Sequence, residues 1–350
     1  MTATAPADPD PTSDSDGNGR AASSLRVAVD ATSLLGVRTG VSRVTSGLLG
    51  ELARRPEVTV SAYAVTWRGR ERLGAAVPRS VRAAPRPFPA RLTRWSWPRL
   101  RWPSVEGWTG PVDVVHATNY VAPPARVPVL VSVHDLGFVR FPELCTGDVA
   151  RYPRLVQVAI DRGAAVHTDS AFVASEVREH YGLPEDRVFH VAPGLDETTG
   201  GDARRGRALA GCERYVLAVG TVEPRKNLPV LVAAFDALAR EEPDVWLVVA
   251  GPDGWGVAEF TEAVDRARHR HRIRRIGWLE DAARGDLLAG AAVLVDPADV
   301  DGLAAALTRV VGDEALAADL VRRGRARADG YRWDRAAEAF VATYQRLAGM

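Results

Sequence analysis

From residue 25 onward, short apolar runs closed by polar clusters alternate with stretches of helical periodicity. Runs at 25–30, 58–65, 112–116, 129–134, 164–168 and 188–191 have the length and branched-residue content of buried strands. Three of them end in His116-Ala-Thr-Asn119, His134-Asp135 and His167-Thr-Asp-Ser170. Pro128 stands where a strand tolerates the loss of an N–H. Helices are predicted over 41–54 and 171–181, the second with Ser170 as N-cap. The pattern then restarts, with strands expected at 215–220, 245–250, 273–277 and 291–295 before the chain turns helical from about residue 300. Ala336, Ala337, Phe340, Val341, Tyr344 and Leu347 give 331–347 the stripe of an amphipathic helix.

Buried strands alternating with helices predict an α/β fold of doubly wound parallel sheets, and two series predict two domains. The expected organisation is a disordered tail at 1–24, a first domain at 25–200, a second at 212–330 and a terminal helix at 331–350. The tail is rich in Ala, Pro, Asp, Ser and Gly and lacks the apolar core of a signal peptide. Four strands are few for a complete second domain.

Composition changes this picture little. The chain has 350 residues, 46% of them hydrophobic and 25% charged, and a net charge of +1, so no global field attracts it to nucleic acid. Cys145 and Cys212 form neither a disulfide framework nor a metal cluster. A cytoplasmic location is expected, with no apolar stretch long enough to span a bilayer.

Charge type matters more than net charge. Of 45 basic residues other than histidine, Lys226 is the only lysine. It lies in Glu223-Pro-Arg-Lys-Asn227, between a buried-strand run ending at Gly220 and an apolar helical stretch. Ligands of open parallel sheets bind at the carboxyl ends of strands, and helix N-termini there favour phosphate. A compact ammonium beside a forked guanidinium suits a diphosphate. The competing reading is a surface pair in a polar turn.

Two such halves with Glu-Pro-Arg-Lys-Asn opening the second resemble the GT-B glycosyltransferases of family 4. The resemblance implies two Rossmann-like domains facing across a cleft. It also implies a nucleotide-sugar donor mostly on the second domain and a glycan or lipid-linked acceptor entering from the first. Arg225 and Lys226 would hold the donor diphosphate, and Gly220, Glu223, Gly251 and Trp255 would lie near the nucleotide or its sugar. Arg38-Thr-Gly-Val-Ser-Arg43 resembles the family's glycine loop, in which Gly40 lets N–H groups approach an oxyanion, although a tight turn also explains it. His134 and Asp135 resemble the active-site position beside the transferred sugar; a structural histidine is the alternative. His116 and Asn119 are weaker candidates, and His167 and His190 read as structural. The family resemblance implies retaining transfer of a hexose, with mannose the first choice, and no metal cofactor.

One family element is missing. Members normally carry two glutamates separated by seven residues late in the second domain, and no two glutamates here have that spacing. The 291–295 run passes directly into Asp296-Pro-Ala-Asp-Val-Asp-Gly302, as though the segment between two family landmarks were absent. The second domain is therefore expected to be incomplete near 288–296, with weak donor binding and impaired transfer. A catalytically inactive relative acting as a binding or scaffolding subunit is the rival reading. An epimerase of the same fold ranks below it, having only His269 and His271 as second-domain histidines. A dinucleotide oxidoreductase is disfavoured, since no G-x-G-x-x-G follows a strand.

Residues 82–108 combine Arg86, Arg91, Arg94, Arg99 and Arg101 with Trp95, Trp97, Trp102 and Trp108. Cations beside interfacial aromatics suggest attachment to an anionic membrane surface, while Pro85, Pro87, Pro89, Pro98 and Pro103 oppose a long amphipathic helix.

Overall fold

The computed structural model describes residues 24–350 apart from 37, 67–69, 85–95, 98–99, 101, 146, 148, 197–200 and 292–299. Its first lobe is built on seven parallel strands in the order β3-β2-β1-β4-β5-β6-β7. They are β1 (Leu25–Asp30), β2 (Val58–Tyr63), β3 (Arg82–Ala84), β4 (Val114–Ala117), β5 (Val129–Ser132), β6 (Ala165–Thr168) and β7 (Val188–His190). All the runs expected in this half are strands. β3 has no counterpart in the sequence reading, because three residues beside a proline-rich segment carry no readable period.

Both faces of this sheet are covered, which is why its strands read as continuous apolar runs. Val27 and Val29 of β1 pack with Leu48, Leu49 and Leu52 of the helix Gly40–Leu52 on one side. Ala28 meets Tyr63, Trp97 and Trp108 on the other. Two of the four tryptophans in the Arg/Trp stretch are thus core residues, with Trp97 and Trp108 rings 6.2 Å apart. Trp95 and most of the arginines of that stretch lie outside the described residues. The helix Ala171–Tyr181 begins as expected, with Ser170 Oγ accepting the Val173 N–H.

A second sheet holds β8 (Arg214–Val219), β9 (Val245–Ala250) and β10 (Ile273–Gly277) in the order β10-β9-β8, again parallel. Val216, Leu247 and Val249 face Phe235 and Leu238 of the helix Leu228–Glu241, and Leu303 and Leu307 of the helix Val300–Gly312. The expected strand at 291–295 and the junction at 292–299 lie outside the described residues. Among the described residues the second sheet has three strands, so it is the smaller of the two.

The last helix, Trp333–Ala348, does not stand apart from the first lobe. Ala336, Phe340, Val341 and Tyr344 join the core beneath β1, β2 and β4. Gly47 and Gly194 give it room, since a Cβ at either position would run into Trp333. The chain therefore ends by crossing back to the half where it began.

Candidate functional site

Three strand-end loops of the second lobe lie against one another. The Gly220 N–H donates to the Ala250 carbonyl at 2.9 Å, and the Gly251 N–H to the Gly277 carbonyl at 2.7 Å. Gly251 has φ +150°, and a Cβ there would collide with the Gly220 carbonyl, so only glycine permits this approach. Above the loops opens a cavity of about 460 Å³ between the lobes. The second lobe lines it with Gly220, Glu223, Arg225, Lys226, Gly251 and Trp278. Facing them across it are Arg38, Thr39, Gly40 and Arg43 of the first lobe.

The turn carrying the cations is short and rigid. Pro224–Lys226 form one 3-10 turn, ended by Asn227 at φ 48° and ψ 41°, a left-handed conformation that asparagine tolerates well. This turn redirects the chain into the helix Leu228–Glu241 and aims both cations back over the strand ends. The Lys226 Cε sits 3.6 Å from where a Cβ would stand on Gly220. Arg225 is held at 2.8 Å by Glu223, whose carboxylate is nearly buried, and its other nitrogen lies 3.5 Å from Asp135 of the first lobe. Opposite, Gly40 opens a thirteen-residue helix whose first-turn N–H groups lack intrahelical partners. The Ser42 hydroxyl accepts the Thr39 N–H at 2.7 Å and steadies that end.

More cations surround this cavity than the sequence reading assigned. Arg38, Arg43 and Arg284 also line it, and all three pair with Asp281, Arg43 reaching Asp196 as well. Burial, with repulsion from Arg284 and Arg38, lowers the Arg43 pKa from its usual value. Arg284 and Trp278 carry no signal in the sequence because their neighbours form no motif; only the folded chain brings them to the strand ends.

His134 and Asp135 sit beside this corner rather than in the cavity wall. His134 donates from Nε2 to the Thr118 carbonyl at 2.9 Å, and Nδ1 meets Asp169 at 2.6 Å. Both partners are acceptors, so the arrangement favours the doubly protonated ring. Burial lowers the His134 pKa, but the Asp169 hydrogen bond and charge outweigh burial and raise it overall. Asp169 is lowered correspondingly, its burial outweighed by the same bond. Both ring nitrogens are occupied by protein, so His134 offers the cleft a charge rather than an open hydrogen-bonding nitrogen. The Asp135 N–H donates to the Tyr120 hydroxyl at 3.1 Å.

The remaining candidates separate. Trp255 does not line the cavity; its indole N–H donates to the Leu144 carbonyl across the lobes at 3.3 Å. Asn119 lines a smaller cavity in the first lobe. His116 is fully buried and structural, paired with Tyr344 at 2.7 Å and Ser132 at 2.9 Å, and burial drives its pKa well down. His167 is equally enclosed. Among the described residues no helix is long and apolar enough to cross a membrane.

Comparison with known proteins agrees with this architecture. A model described as "Glycosyltransferase Family 4" matches residues 38–199, and one described as "Glycosyl transferases group 1" matches 202–308. The O-antigen chain mannosyltransferase B of Escherichia coli is 26% identical over 232 residues, covering 59% of this chain and 61% of that protein. A D-inositol 3-phosphate glycosyltransferase of Rhodococcus jostii is 28% identical over 254 residues, covering 64% and 56%. The chain thus spans about three-fifths of the length of these curated relatives. Among solved structures, sucrose-phosphate synthase from Thermosynechococcus elongatus superposes with a TM-score of 0.70 at 16% identity, over 92% of this chain and 99% of its own. Anabaena HepE in complex with UDP superposes with a TM-score of 0.64 at 14% identity, over 92% and 100%. With two parallel sheets opposed across a cationic cleft and family matches over both, the chain belongs to the group 1 glycosyltransferases of GT-B fold.

Proposed function

We propose that the chain binds a nucleoside-diphosphate hexose in the interlobe cavity and transfers its sugar to a glycan or lipid-linked acceptor. The observation that carries this reading is the position of the only lysine: Lys226 lines that cavity with Arg225, opposite the helix N-terminus at Gly40. A departing nucleoside diphosphate needs its developing charge neutralised rather than a proton donor. Cations in a narrow cleft supply that most strongly, because solvent screening is weakest there. Gly220 and Gly251 allow the phosphates close to the backbone, and the exposed indole of Trp278 provides a flat face for the base. His134 adds positive charge near the sugar. Mannose is the preferred hexose, supported by the name of the Escherichia coli relative. No metal ligand set is needed for this chemistry. The setting of this reaction is cytoplasmic, and attachment to the inner face of a membrane is limited by the packing of Trp97 and Trp108 in the core.

A second reading keeps donor binding but weakens transfer. It is favoured by the absent glutamate pair, whose loss would leave the sugar poorly oriented. Positioning accounts for roughly 7–11 kcal/mol of barrier reduction in favourable cases, so its loss costs orders of magnitude in rate. Calorimetric titration with UDP and GDP, followed by a donor-hydrolysis and transfer assay with GDP-mannose and UDP-glucose, separates the two. Nucleotide binding with measurable transfer supports the enzyme; binding without transfer supports the inactive relative. No binding of either nucleotide would remove both.

A further inference from the structure

The loops that leave β5 and β6 run side by side. Ser132 stands opposite His167 in the sheet, and the Val133 N–H donates to the His167 carbonyl at 2.8 Å. The same register, carried past the last paired positions, sets His134 beside Asp169. His134 Nδ1 donates to Asp169 Oδ2 at 2.6 Å, and Nε2 to the Thr118 carbonyl at 2.9 Å. Thr118 is itself tied to β1, its hydroxyl donating to the Asp30 carbonyl at 2.9 Å. The Tyr120 ring meets the imidazole edge to face, with centroids 5.6 Å apart and planes at 88°. The ring is thus held at both nitrogens and against an aromatic wall.

Asp169 has little to do for the fold alone. Among the described residues its ion-pair partners are histidines: His134 and, at 3.9 Å, His167. Its Oδ1 is enclosed and has no hydrogen-bond partner among those residues. Burying a carboxylate to pair it with one imidazole gains little stability, since apolar side chains of like volume do as well or better. What the pair does supply is a fixed charge at the mouth of the cleft.

We infer that Asp169 is a positioning residue for the transfer step: it fixes the plane of the His134 ring and keeps a positive charge on it beside the sugar. The inference rests on the glycosyl-transfer reading above. As the departing diphosphate takes up negative charge, a cation already in place stabilises the transition state more than the bound donor. Asp169 does not line the interlobe cavity and acts only through His134. The other titratable and charged groups around the pair are His116 of β4, Tyr120 beyond it, His167 of β6, His190 of β7, and Asp135, which meets Arg225 of the second lobe. Burial drives His116 and His167 down, so neither competes for the charge near neutral pH.

The test follows the full chain, labelled with 15N-histidine, through a pH titration by NMR, with the His134 signals assigned by their loss in His134→Gln. In the wild type the ring should keep its second proton to above about pH 6.5, the midpoint of an unpaired histidine. Asp169→Asn retains an oxygen for Nδ1–H but removes the charge. It should bring that midpoint down by about one pH unit or more. In the same variant, kcat for release of GDP from GDP-mannose or UDP from UDP-glucose should fall about ten-fold or more at about pH 8. It should recover towards the wild-type value as pH is lowered, which loss of a merely packed aspartate would not give. UDP affinity should be unchanged. A wild-type midpoint at or below that of an unpaired histidine would overturn the assignment, and this measurement stands even where Asp169→Asn fails to fold. So would an Asp169→Asn protein whose kcat and pH profile match the wild type, with the transfer reading left in place. UDP binding with no turnover by the wild type would remove the transfer reading, and this role with it.

Discussion

The Tyr344 hydroxyl lies 2.7 Å from His116 Nδ1, joining the last helix of the chain to the centre of its first sheet. From there a chain of buried hydrogen bonds runs through Ser132 Oγ at 2.9 Å to His167 Nδ1 at 2.9 Å, and from His167 Nε2 to the Val191 carbonyl at 3.0 Å. The carbonyl can only accept, which sets every donor upstream: His167 Nε2–H, Ser132 O–H, His116 Nε2–H and Tyr344 O–H. Both imidazoles are neutral in this order, and burial pushes the Tyr344 phenol well above its usual value.

Tyr344→Phe removes the first donor and leaves His116 Nδ1 buried without one. The expected loss is about 1–3 kcal/mol of stability, read as a lower urea midpoint. UDP affinity should hold, because Tyr344 and His116 are buried in the core of the first lobe and neither lines the cavity. A midpoint equal to that of the wild type would show that the hydrogen-bond chain contributes little.

Two buried groups give opposite pH dependence. Burial lowers His167 to about 4 against an ordinary 6.5, so the unfolded chain takes up its proton first as pH falls. Stability from this group is complete above pH 6.5 and declines towards pH 4, by about 3 kcal/mol for a shift of this size. Burial raises Asp30 to about 6 from 3.8, so its contribution runs the other way, greatest below pH 3.8 and lost as pH rises towards 6. The two largely offset each other in the wild type. Asp30→Asn should therefore be more stable than the wild type at pH 7, by roughly 2–3 kcal/mol, and lose stability more steeply between pH 6.5 and 4. Parallel urea-midpoint curves for the two proteins would contradict this.

Lys226→Ala should lower UDP affinity by about ten- to a hundred-fold, the range for a lost charge-assisted contact. The thermal midpoint should move little, since the ammonium lies in the cavity rather than in the core. Calorimetry at low and high salt checks the point. An unchanged dissociation constant would remove the diphosphate assignment.

Gly251→Ala places a methyl against the Gly220 carbonyl at a backbone angle that side chains avoid. The two loops must separate, at a cost on the order of 3 kcal/mol. Reduced thermal stability together with weakened UDP binding is expected. Loss of neither would mean that the strand ends adjust freely.

Local pattern was sufficient for most of the architecture. Apolar runs such as 129–132 and 245–250 mark strands because burial on both faces leaves no room for polar alternation, and Ser170 marks a helix start because its hydroxyl can reach one N–H. The same logic reached Lys226, whose residue type is itself unusual here. Tertiary structure decided what no local period encodes. It turned Trp97 and Trp108 into core residues, and it brought Arg284 and Trp278 to the cavity wall. It also occupied both nitrogens of His134 and carried Tyr344 across the chain to His116. Asp30 shows the difference most clearly: in sequence it is the polar end of a strand, and only the packing of β1 between β2 and β4 buries its carboxylate, with Thr32 on Oδ1 and Thr118 on its carbonyl. Periodicity reports whether a residue is buried, whereas its chemistry depends on neighbours that only the folded chain supplies.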